Sequence, residues 1–191
     1  DGGFKRKSMI NELGEGIIFT NNKNVFRSSI IDKFSSDEFK KDTDYCKVIA
    51  WKNATIMQSN KIIRNELFGN DTDIVEVGDI LMGYRSITNE NNWLNIIENS
   101  ADYRVVKKSK LEENEYGIKG YNVQLRENIA MGQYNYQDVF IVNINDYDNL
   151  HLYAEMHDFF RDMGKINKKN WSKYYKFRRD NILMTTINKY R

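Results

Sequence analysis

The amino-acid sequence predicts an α/β domain that is interrupted by a small β-barrel. Short apolar runs alternate with helical periodicity as far as Gly69, the pattern of a sheet covered by helices. From Asp73 to about Asn145 the pattern changes to short strands and polar turns. Beyond Asn145 the helical period returns. The simplest topology is one α/β domain in two pieces, residues 1–73 and 146–191, with residues 74–145 inserted as the barrel.

The first strand and helix follow from turn and capping residues. Glu15–Thr20 is a short β-preferring run after a glycine turn. Asn22 or Asn24 can cap a helix, and Ser35–Asp37 ends it and caps a further turn. The apolar residues of that helix recur at a spacing of four: Phe26, Ile30 and Phe34.

Lys47–Gly69 is the most informative stretch of the chain. Val48–Trp51 is predicted to be a strand buried on both faces, and Asn53 is predicted to cap the helix that follows. Gly69 stands where a left-handed residue ends a helix. The apolar face of the helix comprises Ile56, Ile63 and Leu67. A strand that enters a helix N-terminus is a common phosphate site in α/β proteins, although an ordinary strand–helix unit has the same pattern.

The inserted segment contains four strand candidates. They are Ile74–Tyr84, Tyr103–Ser109, Gly120–Arg126 and Asp138–Asn143. In the third, Tyr121, Val123 and Leu125 alternate with polar residues, as in a strand with one buried face. Four or five short strands in such a segment indicate a small barrel of the SH3 or OB type.

Two helices follow the barrel, and the end of the chain is basic. Asp148 or Asn149 can cap the first helix and Asn170 the second. From Gly164 to Arg191 there are nine basic residues and one acidic residue, a balance that favours phosphate-rich partners. Exposed basic helix faces are also common without any ligand.

Composition limits the remaining possibilities. The 191 residues are 29% charged with a formal net charge of +2, so the chain as a whole is not a polycation. The single cysteine, Cys46, excludes an internal disulfide. No apolar run approaches the length of a membrane span, so we expect a soluble, cytoplasmic protein with no membrane partner. The chain starts without a methionine and stops after a helical pattern, so we expect a piece of a longer protein.

The order of these features resembles the second motor domain of superfamily 1 helicases of the RecD/Dda-like branch. Tyr45–Arg64 is similar to that family's segment of a hydrophobic strand, Thr-Asn, and Tyr-Asn-x-x-Ile-Arg. Asn53, Asn60, Ile63 and Arg64 match it, whereas Lys52 replaces the usual threonine and Ser59 the usual tyrosine. Phe34–Asp44 is similar to the lead-in of that segment.

Three further segments extend the resemblance in the same order. Val77–Met82 and Asn99–Val105 resemble the first two strands of the family's SH3-like insert, domain 2B. Trp171–Phe177 resembles the tryptophan-bearing helix that comes before the family's next motif. The resemblance implies a partial RecA-like domain 2A, residues 1–73 and 146–191, with the SH3-like barrel in residues 74–145.

The same resemblance implies that the intact protein hydrolyses ATP with Mg²⁺ and moves 5′→3′ on single-stranded DNA. This chain has no G-x-x-x-x-G-K-[ST] phosphate loop, so we predict no cofactor site, no catalytic residue and no activity in the chain alone. His151 and His157 have no partner at metal-ligand spacing, so no metal site is predicted. The expected partners are single-stranded DNA and the remaining helicase domains.

The DNA contacts are predicted on three segments. The first segment is the start of the helix that follows Val48–Trp51, in the turn led by Asn53. There the N–H groups of Ala54 and Thr55 and the Thr55 hydroxyl could bind one phosphate, and Lys52 would add a positive charge. Trp93 could stack on a base, although packing back on the barrel is the simpler interpretation. Lys173 and Lys176 could reach phosphate. For Asn60 and Arg64 we expect a structural role, tying the helix to a neighbouring loop.

Two other functions stay open. The barrel could be a stand-alone SH3-like module that binds a protein or peptide on an α/β scaffold. A metal-dependent nuclease would use the acidic cluster Asp71, Asp73, Glu76 and Asp79, but with no paired lysine or histidine apparent in the sequence a solvated turn is the simpler interpretation.

Overall fold

A computed structural model describes residues 7–13, 15–89, 94–129 and 133–185. It divides the chain into two compact units, Asp1–Asp71 and Thr72–Arg191. The described residues form five α-helices and three sheets, so the mixed α/β class is confirmed. All paired strands are antiparallel. The parallel sheet that the order of strands and helices predicts is therefore not found in the described part of the chain.

The first unit begins with a small hairpin and two helices. Strand β1 (Met9–Ile10) pairs with β2 (Gly16–Ile17), so the predicted strand at Glu15–Thr20 is shorter than expected. Helix α1 (Lys23–Phe34) is capped by Asn22, whose side chain accepts hydrogen bonds from the Asn24 and Val25 N–H groups. Helix α2 (Asp37–Lys41) is capped by Ser36. Both predicted helix starts are thus confirmed.

Helix α3 (Asn53–Phe68) has the predicted length, but the strand before it is absent. Residues 47–50 form no strand, and Ile49 and Trp51 are 92% and 99% exposed. The prediction of a buried strand at Val48–Trp51 is wrong, because an apolar run becomes a strand only where neighbouring strands satisfy its backbone. Gly69 ends the helix at φ 93°, in agreement with the prediction.

Asn53 does not cap α3. The capping position belongs to Lys52, whose backbone is extended, and Asn53 is the first helical residue. Lys52 makes no side-chain hydrogen bond to the helix start. Only Ile63 is buried among the described residues of this unit, so its elements are fixed more by local capping than by a common core.

The second unit is built on a five-stranded antiparallel sheet. The strands are β3 (Ile80–Met82), β4 (Ile87–Thr88), β5 (Asn95–Ile97), β6 (Asp102–Lys108), β7 (Glu112–Glu113), β8 (Lys119–Ile129) and β9 (Gln133–Val142). In the sheet, β6 pairs with β3 and with β8, and β7 pairs with the start of β8. Strand β9 pairs with the other edge of β8, from Gly120 to Ile129. A separate two-stranded ribbon is formed by β4 and β5.

The inner face of this sheet carries the main core. Tyr121, Val123 and Leu125 of β8 are buried, as their alternation predicts, together with Tyr103 and Val105 of β6. The ribbon packs on the same core through Ile87 and Ile97. The predicted strand Ile74–Tyr84 forms only at Ile80–Met82, because Gly78 has φ 102° and interrupts it.

Two helices pack against one end of the sheet. Helix α4 (Tyr147–Ile166) is capped by Asp146, where the sequence suggested Asp148 or Asn149. Helix α5 (Trp171–Asp180) follows a 3₁₀ turn, and Asn170 precedes it without a capping side-chain bond. A second core, Ile118, Val142, Tyr153 and Phe177, joins both helices to the sheet.

Asn149 connects α4 to the sheet. Its amide group accepts a hydrogen bond from Lys119 N–H at 2.7 Å and donates to the carbonyls of Lys119 and Asn143 at 2.9 and 2.8 Å. The side chain is 4% exposed. This amide is therefore a docking residue of the second unit rather than a helix cap.

The division of the chain lies close to the predicted boundary at residue 73. The proposed joining of residues 146–191 with residues 1–73 in one domain concerns residues of both units and stays a prediction. The SH3-like and RecA-like assignments stay predictions as well. None of the described helices combines the length and the apolar character needed to cross a membrane.

Candidate nucleic-acid interface

The start of α3 has the open geometry that a phosphate site needs. Lys52, Asn53, Ala54 and Thr55 are all exposed. The Lys52 carbonyl accepts hydrogen bonds from the N–H groups of Thr55 at 2.9 Å and Ile56 at 3.3 Å. The N–H groups of Asn53 and Ala54 have no acceptor among the described residues. Two backbone donors and the positive end of the helix dipole therefore face solvent beside a lysine.

This geometry changes one part of the predicted clamp. The Thr55 N–H is already used inside the helix, so the available backbone donors are those of Asn53 and Ala54. The Thr55 hydroxyl and the Lys52 ammonium group remain exposed. A phosphate could accept from these groups together, as anions do at other helix starts.

The other predicted residues of this region are less informative. Asn60 is exposed and makes no hydrogen bond to any residue that the structure describes, and the predicted structural role of Asn60 and Arg64 stays a prediction. Arg64 is half-buried one turn further along α3. Trp93, the predicted base-stacking residue, lies outside the described residues. Cys46 is half-buried, and burial raises the pKa of its thiol.

Three exposed lysines surround the start of α5. They are Lys168 and Lys169 in the 3₁₀ turn and Lys173 in the first turn of the helix. Their ammonium groups make no ion pair or hydrogen bond with any described residue. Lys173, which the sequence singled out, thus belongs to a positive patch that is open to solvent.

Lys176 has different surroundings. Its ammonium group binds Asp180 at 2.6 Å and Glu115 at 3.3 Å. The hydrogen bond to Asp180 and then that to Glu115 raise the pKa of Lys176, against the effect of burial. A cavity of about 260 Å³ beside this pair is lined by acidic residues, Glu112, Glu113, Glu115 and Asp180. The geometry favours a local ion pair over a phosphate contact for Lys176, and the predicted DNA contact stays a prediction.

The acidic cluster around residue 75 is not a solvated turn. The Lys108 side chain is 14% exposed. Its ammonium group binds the carboxylates of Asp73 at 2.6 Å and Glu76 at 2.9 Å. The Tyr121 hydroxyl donates to Asp73 at 2.8 Å, and Asp79 is 8% exposed. Lys108 is the partner that the sequence did not reveal, because thirty-five residues separate it from Asp73. This network holds the loop before β3 against the sheet, so the acidic residues have a structural role.

One further group of polar residues on the sheet was not predicted from the sequence. Arg104 of β6 lies directly opposite Arg126 of β8 in the sheet. Both point to the outer face, which Tyr134 and Tyr136 of β9 share. The signal was the alternation along β8, which assigns Arg126 to the face opposite Leu125. The pairing across strands could not be read from the sequence.

No group of His, Cys, Asp and Glu residues in the described part of the chain is arranged to hold a metal ion. His157 instead accepts or donates a hydrogen bond with the Tyr174 hydroxyl at 3.0 Å and joins α4 to α5. The search of protein-family models and of curated proteins finds no match to this chain.

Proposed function

We propose that this chain contributes single-stranded DNA contacts to an ATP-dependent DNA helicase of the RecD/Dda-like type. The observation that carries the proposal is the exposed start of α3, where Lys52, the Asn53 and Ala54 N–H groups and the Thr55 hydroxyl are open to one phosphate. In the helicase family that the chain resembles, the corresponding segment follows a hydrophobic strand of the second motor domain. The ordered resemblance supports DNA over other phosphate-bearing ligands.

The basic patch at the start of α5 supports the same proposal. Lys168, Lys169 and Lys173 offer three positive charges that are not neutralised by described residues. Phosphate contacts of this kind fix position on the strand without reading its sequence. A motor that must release the strand in each cycle suits such weak and salt-sensitive contacts.

Under this proposal ATP and Mg²⁺ belong to other parts of the intact protein. The described residues contain no phosphate loop, and the chain alone is proposed to be inactive as an ATPase. By resemblance, ATP hydrolysis would supply the energy for movement. The residues of this chain would hold the strand.

The test is a titration of fluorescein-labelled dT₁₂ with the chain, followed by anisotropy at several salt concentrations. We expect weak binding that falls as salt rises, with a slope reduced by about 0.7 for each phosphate contact removed. Lys52→Ala/Thr55→Ala should weaken binding several-fold. Lys61→Ala, an exposed lysine further along α3, is the charge-matched control and should bind as the unchanged chain does.

An affinity for dT₁₂ that does not change with salt concentration would contradict the clamp. An affinity that is the same in Lys52→Ala/Thr55→Ala as in the unchanged chain would also contradict it. The alternative of a peptide-binding SH3-like module is supported by exposed tyrosines of the second unit, Tyr84, Tyr134 and Tyr136. Saturable binding of a proline-rich peptide without any binding of dT₁₂ would favour that alternative.

A further inference from the structure

Strand β9 has one edge that is free over most of its length. Its other edge pairs with β8 from Gln133 to Val142 without a register shift. The free edge is used only at its end, where the Phe140 carbonyl accepts a hydrogen bond from Ile182 N–H and Val142 N–H donates to the Ile182 carbonyl, both at 2.9 Å. No strand of the described residues other than β8 pairs with β9. The edge thus already holds one extended residue, and the rest of its length is unused.

Alternation along the strand identifies the unused backbone groups. The Phe140 carbonyl faces away from β8, so the backbone groups of Tyr134, Tyr136 and Asp138 face the same way. These backbone groups make no hydrogen bond with any described residue. The two tyrosines are 50% and 52% exposed, and Asp138 is exposed as well. The outward groups of this stretch are therefore open to another strand.

This part of β9 lacks the features that usually protect a sheet edge. Natural edge strands are commonly short, bulged, covered, or interrupted by lysine or proline. Strand β9 has ten residues, and Asp138 is its only charged residue. Its pairing with β8 contains no bulge. A long and regular edge of this kind is a template for pairing with a second chain.

The edge is complementary to a second copy of itself. In an antiparallel pair centred on Tyr136, the Tyr134 of one copy lies opposite the Asp138 of the other, and the two Tyr136 rings are neighbours. The guanidinium carbon of Arg126 lies 4.5 Å from the centre of the Tyr134 ring, on the same face of the sheet. Each Asp138 carboxylate therefore comes near an Arg126 of the other copy.

The side chains that this register brings together are suited to each other. Arg126 makes no ion pair with a described residue, and its Nε atom has no hydrogen-bond partner there. On the opposite face of the sheet, Asn135 of one copy meets Gln137 of the other, and their amide groups can both donate and accept. A second copy supplies these groups at fixed positions in every encounter, whereas an arbitrary peptide does not.

We propose that two copies of this chain associate through the free edges of β9, antiparallel and centred on Tyr136. The two sheets then become one continuous sheet, joined by about six backbone hydrogen bonds, two at each opposite pair of outward residues. So short an edge buries less surface than a stable interface does, so we expect a weak dimer whose population depends on concentration. The dimer does not rest on the proposed DNA contacts, which lie on α3 and α5.

Sedimentation velocity of the full chain at a series of concentrations measures the dimer. Asp138→Arg and Arg126→Asp each bring like charges together across the interface, so each should weaken the dimer at least tenfold. The double variant Asp138→Arg/Arg126→Asp restores opposite charges and should recover most of the affinity. Glu155→Arg, the same charge reversal at an exposed position of α4, is the control and should dimerise as the unchanged chain does.

The backbone pairing has its own test. Tyr136→Pro removes an outward N–H that β8 does not use, so it should abolish the dimer and leave the sheet folded. Tyr147→Pro makes the same substitution at the first residue of α4, where proline is tolerated, and should leave the dimer intact. Circular dichroism checks the folding of each variant. In the unchanged chain, amide exchange of Tyr136 should slow as protein concentration rises.

A chain that stays monomeric at millimolar concentration would overturn the proposal. A dimer that is unaffected by Tyr136→Pro and by both charge reversals would also overturn it, because its interface would lie elsewhere. Failure of the double variant to recover affinity would overturn the register. A monomer that binds an extended peptide, with slower exchange of Tyr136, would assign the edge to a peptide instead. Because the dimer is measured without DNA, its failure is distinguishable from failure of the proposed clamp.

Discussion

The two units of the chain differ most in how their apolar residues are used. Seventeen of the eighteen buried apolar residues of the described chain belong to the second unit, and Ile63 alone belongs to the first. The first unit also contains large apolar side chains, but Ile49, Trp51 and Met57 are all mostly exposed. Apolar content therefore does not make a core. A core forms only where the apolar faces of two elements pack against each other.

In the second unit those surfaces are the sheet and the elements around it. The alternation of β8 gives one face to Tyr121, Val123 and Leu125, and the ribbon and the loop before β3 cover that face. In the first unit the strongest features are local: the Asn22 cap, the Ser36 cap and the Gly69 stop. These features set helix ends, and each contributes only about 1 kcal/mol.

The largest expected difference between the units is the cost of truncating a phenylalanine. Phe177 is fully buried against α4 and the sheet, whereas Phe26 of α1 is 54% exposed. Phe177→Ala should lower the free energy of unfolding of the second unit by about 3–5 kcal/mol. Phe26→Ala should change stability by less than about 1 kcal/mol. Urea unfolding followed by circular dichroism measures the cost in each variant.

A similar cost for the two variants would contradict the comparison. Hydrogen exchange of the unchanged chain provides an independent check, because amides in a packed unit open only with global unfolding. We expect slow exchange along β8 and β9 and fast exchange in α1 and α2.

The second prediction concerns the amide that docks α4 on the sheet. Asn149→Ala removes one accepted and two donated hydrogen bonds, which join the Asn149 amide to the part-buried backbone of Lys119 and to the buried Asn143 carbonyl. The Lys119 carbonyl still accepts from the Asn143 N–H, but losing the partner of the Lys119 N–H and of the Asn143 carbonyl should lower the free energy of unfolding of the second unit by about 2–4 kcal/mol. Exposed Asn145 is the matched control, and Asn145→Ala should have little effect. A neutral Asn149→Ala would show that α4 is held by its apolar face alone.

The third prediction tests the charged network. Lys108→Met leaves Asp73 and Glu76 without their cation and should cost about 2 kcal/mol, a figure moderated by the 46% exposure of the Asp73 side chain. Lys107→Met, on the exposed neighbour, should cost much less. Thermal or urea unfolding at pH 7 compares the two variants.

The same network predicts a pH dependence. The hydrogen bond from Lys108, and then that from Tyr121, hold the pKa of Asp73 below its ordinary 3.8, against the effect of burial. A lowered folded-state pKa gives stability that is present above about pH 4 and is lost as pH falls through the folded value. Lys108→Met should therefore flatten the acid side of the stability curve. A curve of unchanged slope would place the acid sensitivity in other carboxylates.

Sequence patterns predicted the second unit well wherever they were periodic. Strands at Tyr103–Ser109, Gly120–Arg126 and Asp138–Asn143, and helices around Tyr153 and Trp171, all form. The last two strands are longer than predicted, since β8 continues to Ile129 and β9 begins at Gln133. Their periods of two and 3.6 residues report one-sided burial directly. The ribbon β4–β5 was missed because each of its strands has only two or three residues.

The candidate site was harder to predict for a physical reason. The donors at the start of α3 follow from local sequence, so that region could be found. The Arg104–Arg126 pair and the Lys108–Asp73 pair depend on which strands are neighbours and in which register. Register is set by burial of the whole face and not by the residues that meet on it.

The smallest expected effect tests the clearest disagreement between the sequence pattern and the structure. If Val48–Trp51 were a strand covered on both faces, Trp51→Ser would remove a large buried ring and cost several kcal/mol, as buried tryptophans do. The structure shows Trp51 to be 99% exposed, so we expect a change within about 0.5 kcal/mol. Trp171→Ser, which removes a ring packed against Gly164 and Tyr174, is the positive control and should cost more.

Fluorescence gives a second measure of the same residue. The emission lost in Trp51→Ser should have the maximum of a water-exposed indole and should be quenched readily by acrylamide. A blue-shifted, protected emission together with a large loss of stability would mean that the run at Val48–Trp51 is covered in solution. The first unit would then have a core like that of the second, and capping would no longer be its main source of order.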